Sequence, residues 1–398
     1  EHPEYLTHTA VENQLDFVEF SIRKTAFAGW DGKPFQVQAI ITKSNYTSIS
    51  DKTISVSTDA TTGRAKLVLA FGNMFAGYGP HAVSWYDGYA FTPPERQGER
   101  TGLRYLLDAL EKYEVPLSTN DMRVDVLAAN DYLGINDRLR NLANHGLLDP
   151  LSTLTYGYFM PWQSADVDAQ ALLITRQAWK DFDLPQSQVF YPYEAMLTTG
   201  DLAAIKEAGY SAIYALDRYG YWFGWITDWS DPTVVKAWYE SMKKIHLANG
   251  IKIFPGMQGF AEDPRWKKVE LEPAFHLYSY SSFTGTDRGL HHAWRRVLTD
   301  MALDSDQEKY MAFGTDLNLT SWLFKDIAEW NACWLTSHPW IEVTTFSDLL
   351  KRNWTPIDHG DLGLTPNQPL ERYPGQDDMH YNAYFWQFYY GGVSDGHS

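Results

Sequence analysis

The sequence predicts an α/β fold whose strands close, or nearly close, into a barrel. Short, almost uninterrupted apolar runs alternate with helix-period segments from residue 65 to about residue 352. Strands that are apolar on both faces belong to a parallel sheet covered by helices. Repeated strand–helix units in this number favour a barrel, and 398 residues suit one such barrel with an appendage.

The elements follow in order. Residues 1–64 read as a β-rich segment, with strand character at Phe17–Ile22, Phe35–Ile41 and Thr53–Ser57 between Gly, Ser, Asn and Asp clusters. Lys66–Phe71 is a nearly continuous apolar run, hence the first barrel strand. Leu103, Leu106, Leu107 and Leu110 then recur at helical spacing. Leu151–Phe159 reads as a strand, Ala169–Phe182 as a helix, Val189–Tyr193 as a strand, Asp201–Ala208 as a helix stopped by Gly209, and Ser211–Leu216 as a strand. Val234, Trp238, Met242 and Ile245 form a helix face, with Asn249-Gly250 read as its stop. Strands follow at Ile251–Phe254 and Tyr310–Gly314. Leu323, Ile327, Trp330 and Trp334 form the last helix face, with Cys333 expected inside it as a small buried hydrophobe. Residues 353–398, Pro/Gly-rich and then aromatic, read as a C-terminal strap.

Composition narrows the function. A formal net charge of −17 and no Lys/Arg-rich run argue against nucleic-acid binding. No stretch approaches the ~18–20 apolar residues of a membrane span. A single cysteine leaves no intramolecular disulfide framework and no cysteine zinc cage. No dinucleotide or ATP phosphate loop, nucleophile elbow or His-Glu-x-x-His helix occurs, so no cofactor and no metal is expected. The start at Glu1 reads as a processed form or an excised segment, and an extracellular location is expected.

Aromatic residues make up 15% of the chain, and many stand in polar loops: Trp85-Tyr86-Asp87-Gly88-Tyr89, Phe159-Met160-Pro161-Trp162-Gln163 and Tyr219-Gly220-Tyr221-Trp222-Phe223. Rigid rings beside carboxylates and amides suit a ligand with apolar faces and a hydroxyl rim, as a sugar has. Ordinary packing is the competing reading for each ring. Three acids close separate barrel strands: Glu194 after Val189–Tyr193, Asp217 after Ala212–Leu216, and Asp316 after Tyr310–Thr315. Residues at the carboxyl ends of barrel strands converge on one face. Each acid taken alone also reads as a helix N-cap. A pair about 5–5.5 Å apart hydrolyses a glycosidic bond with retention, and a wider pair with inversion.

Phe190-Tyr191-Pro192-Tyr193-Glu194-Ala195, followed by a helix, Gly209-Tyr210 and a strand ending at Asp217, resembles the nucleophile region of glycoside hydrolase family 57. Phe313-Gly314-Thr315-Asp316 resembles the family's acid/base strand, and Trp340–Asp348 the stretch that follows it. The related family 119 α-amylases fit about as well. The resemblance spans about residues 65–352 and implies an incomplete, seven-stranded (β/α)7-type barrel acting on α-glucans. It implies Glu194 as nucleophile and Asp316 as acid/base, in a retaining glycosidase. The family's His-Gln-Pro motif is missing; Phe71-Gly72-Asn73-Met74 stands there. Asp217, Trp85, Tyr86, Trp162, Tyr221, Trp222 and His292 are the candidate sugar-binding residues.

Three rival readings share the scaffold. An α-glucan transferase differs only in excluding water in favour of an acceptor sugar. A non-catalytic carbohydrate-binding protein would use the same rings but has no need of Glu194 and Asp316 together. A polysaccharide deacetylase needs an Asp pair and a His-x-x-x-His pair to hold a metal. This chain has Phe71-Gly72-Asn73-Met74 and Thr155–Phe159 in those places.

Overall fold

The computed structural model describes residues 6–11, 18–22, 35–42, 48–56, 63–72, 86, 102–122, 124–154, 160, 164–192, 201–217, 231–257, 297–316 and 321–361. The chain divides into two units, Glu1–Gly63 and Arg64–Ser398. In the first, β1 (Leu6–Val11) pairs antiparallel with β2 (Val18–Ile22), and β3 (Phe35–Thr42) with β4 (Ser48–Val56).

The second unit is an incomplete α/β barrel. Its strands are β5 (Ala65–Gly72), β6 (Leu117–Met122), β7 (Leu148–Ser152), β8 (Val189–Phe190), β9 (Ala212–Asp217), β10 (His246–Ala248), β11 (Ile251–Met257), β12 (Tyr310–Asp316), β13 (Ile341–Thr344) and β14 (Ile357–Asp358). The sheet runs β12-β5-β6-β7-β8-β9-β11, every neighbour parallel. The curl returns β11 alongside β12. β10 extends the sheet antiparallel to β11 and is followed by β14, so the sheet continues past residue 352. β13 pairs with the amino half of β5.

Helices connect the strands: α1 (Leu103–Tyr113), α2 (Val124–Tyr132), α3 (Ile135–Asn144), α4 (Ala165–Asp181), α5 (Asp201–Glu207), α6 (Pro232–Ser241), α7 (Lys325–Ser337) and α8 (Phe346–Leu350). Residues 297–303 are also helical. Alternation along β5 sorts its side chains between two layers. Leu67, Leu69 and Phe71 pack outward with Leu103, Leu106, Leu107 and Leu110 of α1. Val68 and Ala70 face inward with Tyr191, Tyr214, Phe254, Tyr310 and Phe346. An inward-facing layer of such rings makes a filled barrel rather than a pore.

Four sequence expectations are corrected here. Asn249-Gly250 is not a helix stop: α6 ends at Ser241, and the pair forms the turn of the β10–β11 hairpin. Its φ angles of 50° and 71° are those of a type I′ turn, which Asn-Gly favours. The strand placed at Leu151–Phe159 starts at Leu148 and ends at Ser152; residues 155–159 lie outside the described set. Cys333 is exposed, not buried. Of the expected last helix face, Leu323 and Trp334 are buried, but Trp330 is 39% exposed, and the buried residues of α7 are Ala328, Asn331, Ala332, Trp334 and Leu335. The helix turns Trp330 outward, and the small Ala328 and Ala332 pack with the leucines of α1 in the outer cluster.

Candidate active site

The carboxyl edge of the parallel sheet assembles from strands that differ in length. Asp217 is the last residue of β9, in register with Met257 of β11. Asp316 is the last residue of β12, in register with Gly72 of β5. Both acids therefore leave the sheet at the same edge, where barrel loops build active sites. β8 has two ladder residues, and the next N–H, that of Tyr191, donates to the carbonyl of Ser152 at 3.0 Å. That bond holds the backbone to β7 one residue past β8. Glu194, Trp85, Trp162, Tyr221, Trp222 and His292 lie outside the described residues.

Beneath this edge the barrel is closed by aromatic rings. Tyr214 of β9 packs against Tyr191 at 5.7 Å and Phe346 at 4.4 Å between ring centroids. Phe254 meets Phe346 at 5.3 Å and Tyr310 at 6.0 Å. A floor of this kind keeps water from the sheet interior and lowers the local dielectric below the strand ends. Tyr214 is fully buried, and burial pushes its phenol well above the usual tyrosine range. Its hydroxyl and that of Thr153, the residue after β7, are buried without a partner among the described residues. Neither was singled out from sequence, because a Tyr and a Thr in a strand read simply as β-formers.

Tyr86 is the one described residue of the loop between β5 and α1 near the predicted rings. It packs against the outer cluster, and its hydroxyl accepts from Arg138 Nη1 at 3.1 Å. Arg138 is itself held by Glu111, through Nε at 3.2 Å and Nη2 at 2.8 Å, and by Asp108 at 2.8 Å. These are the contacts of an anchor on the helical layer.

A second polar cluster lies at the opposite, amino end. Asp149 near the start of β7 is buried, and accepts from Ser118 Oγ at 3.1 Å, Ser347 Oγ at 2.6 Å and Ser347 N at 2.9 Å. Burial raises its carboxyl above the usual range, and the serine donors pull the other way. Polar groups at this end of a barrel serve stability. Among the described residues, no group of three or more His, Cys, Asp or Glu stands close enough to hold a metal ion. No described helix is long and apolar enough to cross a membrane.

No family model matches the chain, and no curated protein sequence matches it. Solved structures do. A 4-alpha-glucanotransferase from Thermococcus litoralis aligns with TM-score 0.50 at 14% identity, over 76% of this chain and 42% of its own length. The present chain thus spans less than half of that protein. A GH57 branching enzyme from Thermococcus kodakaraensis aligns with TM-score 0.46 at 12% identity, over 82% of this chain and 78% of its own. A protein assigned as a polysaccharide deacetylase from Mycobacterium smegmatis aligns with TM-score 0.44 at 12% identity, over 76% and 94%. The incomplete barrel expected from the resemblance is the fold observed, and the solved structures like it include GH57 branching enzymes.

Proposed function

We propose that the protein is a carbohydrate-active enzyme that cleaves α-glucosidic bonds of an α-glucan or oligosaccharide by double displacement with retention. One observation carries the reading: Asp217 and Asp316 close two different parallel strands at the same edge of the barrel. Glu194 follows β8, the neighbour of β9, in the sequence. Glu194 attacks the anomeric carbon, and the glycosidic C–O bond breaks as Asp316 protonates the leaving oxygen. Asp316 then takes a proton from water, which displaces Glu194. Asp217 hydrogen-bonds sugar hydroxyls. Trp85, Trp162, Tyr221 and Trp222 supply stacking faces, with His292 at the rim and Tyr86 bracing the loop from the helical layer. A polymeric substrate is consistent with an extracellular place of work.

A second reading, transfer of the glucosyl unit to an acceptor sugar, is favoured by the likeness to a glucanotransferase. Incubation with soluble starch and with maltoheptaose separates the two. Hydrolysis releases new reducing ends; transfer redistributes chain lengths with no net gain of them. Either activity should vanish in Glu194→Gln, which is isosteric and removes only the nucleophile. No change in either substrate, or full activity in that variant, rejects the proposal.

A further inference from the structure

The ladder of parallel strands begins at β12 and reaches β11, and the curl brings these two side by side. Among the described residues, β12 pairs its backbone with β5 and β11 pairs with β9 and β10, so a seam separates β11 from β12. Tyr310 crosses it. The side chain is fully buried in the inner layer, and its hydroxyl donates to the carbonyl of Pro255 at 2.7 Å. Pro255 lies within β11, in register with Ala215 of β9. Edge-on packing of Tyr310 against Phe254 (77°) and Phe346 (88°) fixes the ring that carries the hydroxyl. A side-chain donor here meets a strand carbonyl in the manner of a backbone N–H in a continuous ladder.

The seam divides the catalytic candidates. β8, which leads to Glu194, and β9, which ends at Asp217, stand on one side; β12, which ends at Asp316, stands on the other. The shorter way round the sheet from β8 to β12 runs through β9, β11 and the seam. Separation between two carboxylates sets both the stereochemical course and how strongly one holds the other protonated. We infer that Tyr310 is a positioning residue whose bond to Pro255 fixes the width of the seam, and with it the spacing between the end of β12, at Asp316, and the end of β9, at Asp217. The catalytic half of this inference rests on the glycosidase reading; the seam itself does not.

The test compares Tyr310→Phe with Tyr210→Phe. Tyr210 offers a control away from the seam: its buried hydroxyl, in the outer layer, shares a 2.6 Å hydrogen bond with Ser152 Oγ and accepts from Gln186 Nε2 at 2.9 Å. Hydrogen–deuterium exchange and the pH–rate profile are read on both variants and the wild type. Tyr310→Phe should speed exchange in residues 251–257 and 310–316. It should lower kcat about tenfold with little change in KM, since displacements near 1 Å can cost up to about 10²-fold. It should also move the alkaline limb of the profile to lower pH, because a wider gap weakens the repulsion that keeps Asp316 protonated. Tyr210→Phe should lower the melting temperature and leave the seam exchange alone. Unchanged seam exchange in Tyr310→Phe overturns the tether whether or not the protein cleaves glucans. Faster exchange with an unmoved profile and normal kcat overturns the positioning role. Inactivity of the wild type on all glucans rejects the glycosidase reading, and with it the catalytic half of the inference.

Discussion

Asp149 and Ser347, 198 residues apart, hold each other by two hydrogen bonds at the amino end of the barrel, from Ser347 Oγ at 2.6 Å and Ser347 N at 2.9 Å. They tie β7 to the first turn of α8, whose Phe346 and Leu349 fill the inner layer. Loss of the carboxylate would leave Ser118, Ser347 Oγ and Ser347 N without it. A buried polar group left unpaired costs about 1–3 kcal/mol. Asp149→Ala should therefore destabilise by about 3 kcal/mol or more in urea unfolding at pH 7. Asp149→Asn should cost less than half of that, since the amide still accepts through Oδ1 and a serine hydroxyl can turn to accept from the new NH₂. The sign of the pH term agrees. The folded carboxyl titrates above the unfolded value of 3.8, so the folded state binds more protons in that window and stability falls as pH rises through it. Equal losses in both variants would mean that the charge itself stabilises the fold.

His246 and His359 give a second, opposite pH term. His246 Nε2 faces the carbonyl of Ser241 at 2.8 Å, so that nitrogen carries the proton and Nδ1 accepts from His359 Nε2, also at 2.8 Å. The two ring planes lie within 4° of parallel. Burial, foremost, and the neighbouring His359 lower the His246 pKa to about 4, against 6.5 when exposed. Burial lowers His359 too, with Asp358 opposing. Between about 4 and 6.5 the unfolded chain binds the proton and the folded one does not, so stability rises with pH across that window. The His246 contribution is about 3 kcal/mol. Urea midpoints between pH 4.5 and 7.5 should climb in the wild type and flatten in His246→Gln. A parallel climb in the variant would remove His246 as the cause.

The barrel was legible where burial is apolar and hidden where it is polar. β5, β9 and β12 announce themselves as apolar runs, and their ends delivered Asp217 and Asp316. β6 does not, because its sequence is Leu-Ser-Thr-Asn-Asp-Met. Ser118 and Thr119 are nevertheless fully buried, with Ser118 satisfied by Asp149, a partner 31 residues away that no local pattern reveals. β10 was hidden for a different reason. Met242 and Ile245 are buried at 3% and 2% and keep helical spacing with Val234 and Trp238, although the helix has already ended at Ser241. The seam contact of Tyr310 with Pro255 was likewise out of reach, since sequence gives a strand but not the curl that brings its two ends together.

Tyr86 is anchored on the helical layer. Its hydroxyl meets Arg138, and Asp108 and Glu111 on α1 fix that guanidinium in turn. Tyr86→Phe should lose about 1 kcal/mol, one hydrogen bond. Tyr86→Ala should lose more, short of the ~3–5 kcal/mol of a fully buried aromatic because the ring is half-buried. Both should keep kcat/KM on maltooligosaccharides within about twofold, as an anchor away from the sugar predicts. A tenfold fall in kcat/KM with an unmoved melting temperature would instead make Tyr86 a sugar-stacking residue.

Asp316 carries the sharpest chemical prediction. An acid that protonates the leaving oxygen matters in proportion to how badly that group leaves. Asp316→Asn should lower kcat/KM on maltooligosaccharides by roughly 10²–10⁴-fold, the usual range for general acid catalysis. An α-glucosyl fluoride departs as an anion without a proton, so its first step should be nearly spared. The second step still needs a base to activate water, and deglycosylation should then limit turnover. Fluoride release would show a burst equal to the enzyme concentration, followed by slow steady-state turnover. Added azide, a nucleophile that needs no base, should restore the rate by forming the glucosyl azide with the same anomeric configuration as the substrate. Equal losses on both substrates and no azide rescue would mean that Asp316, although it ends β12 at the carboxyl edge, is not the acid/base.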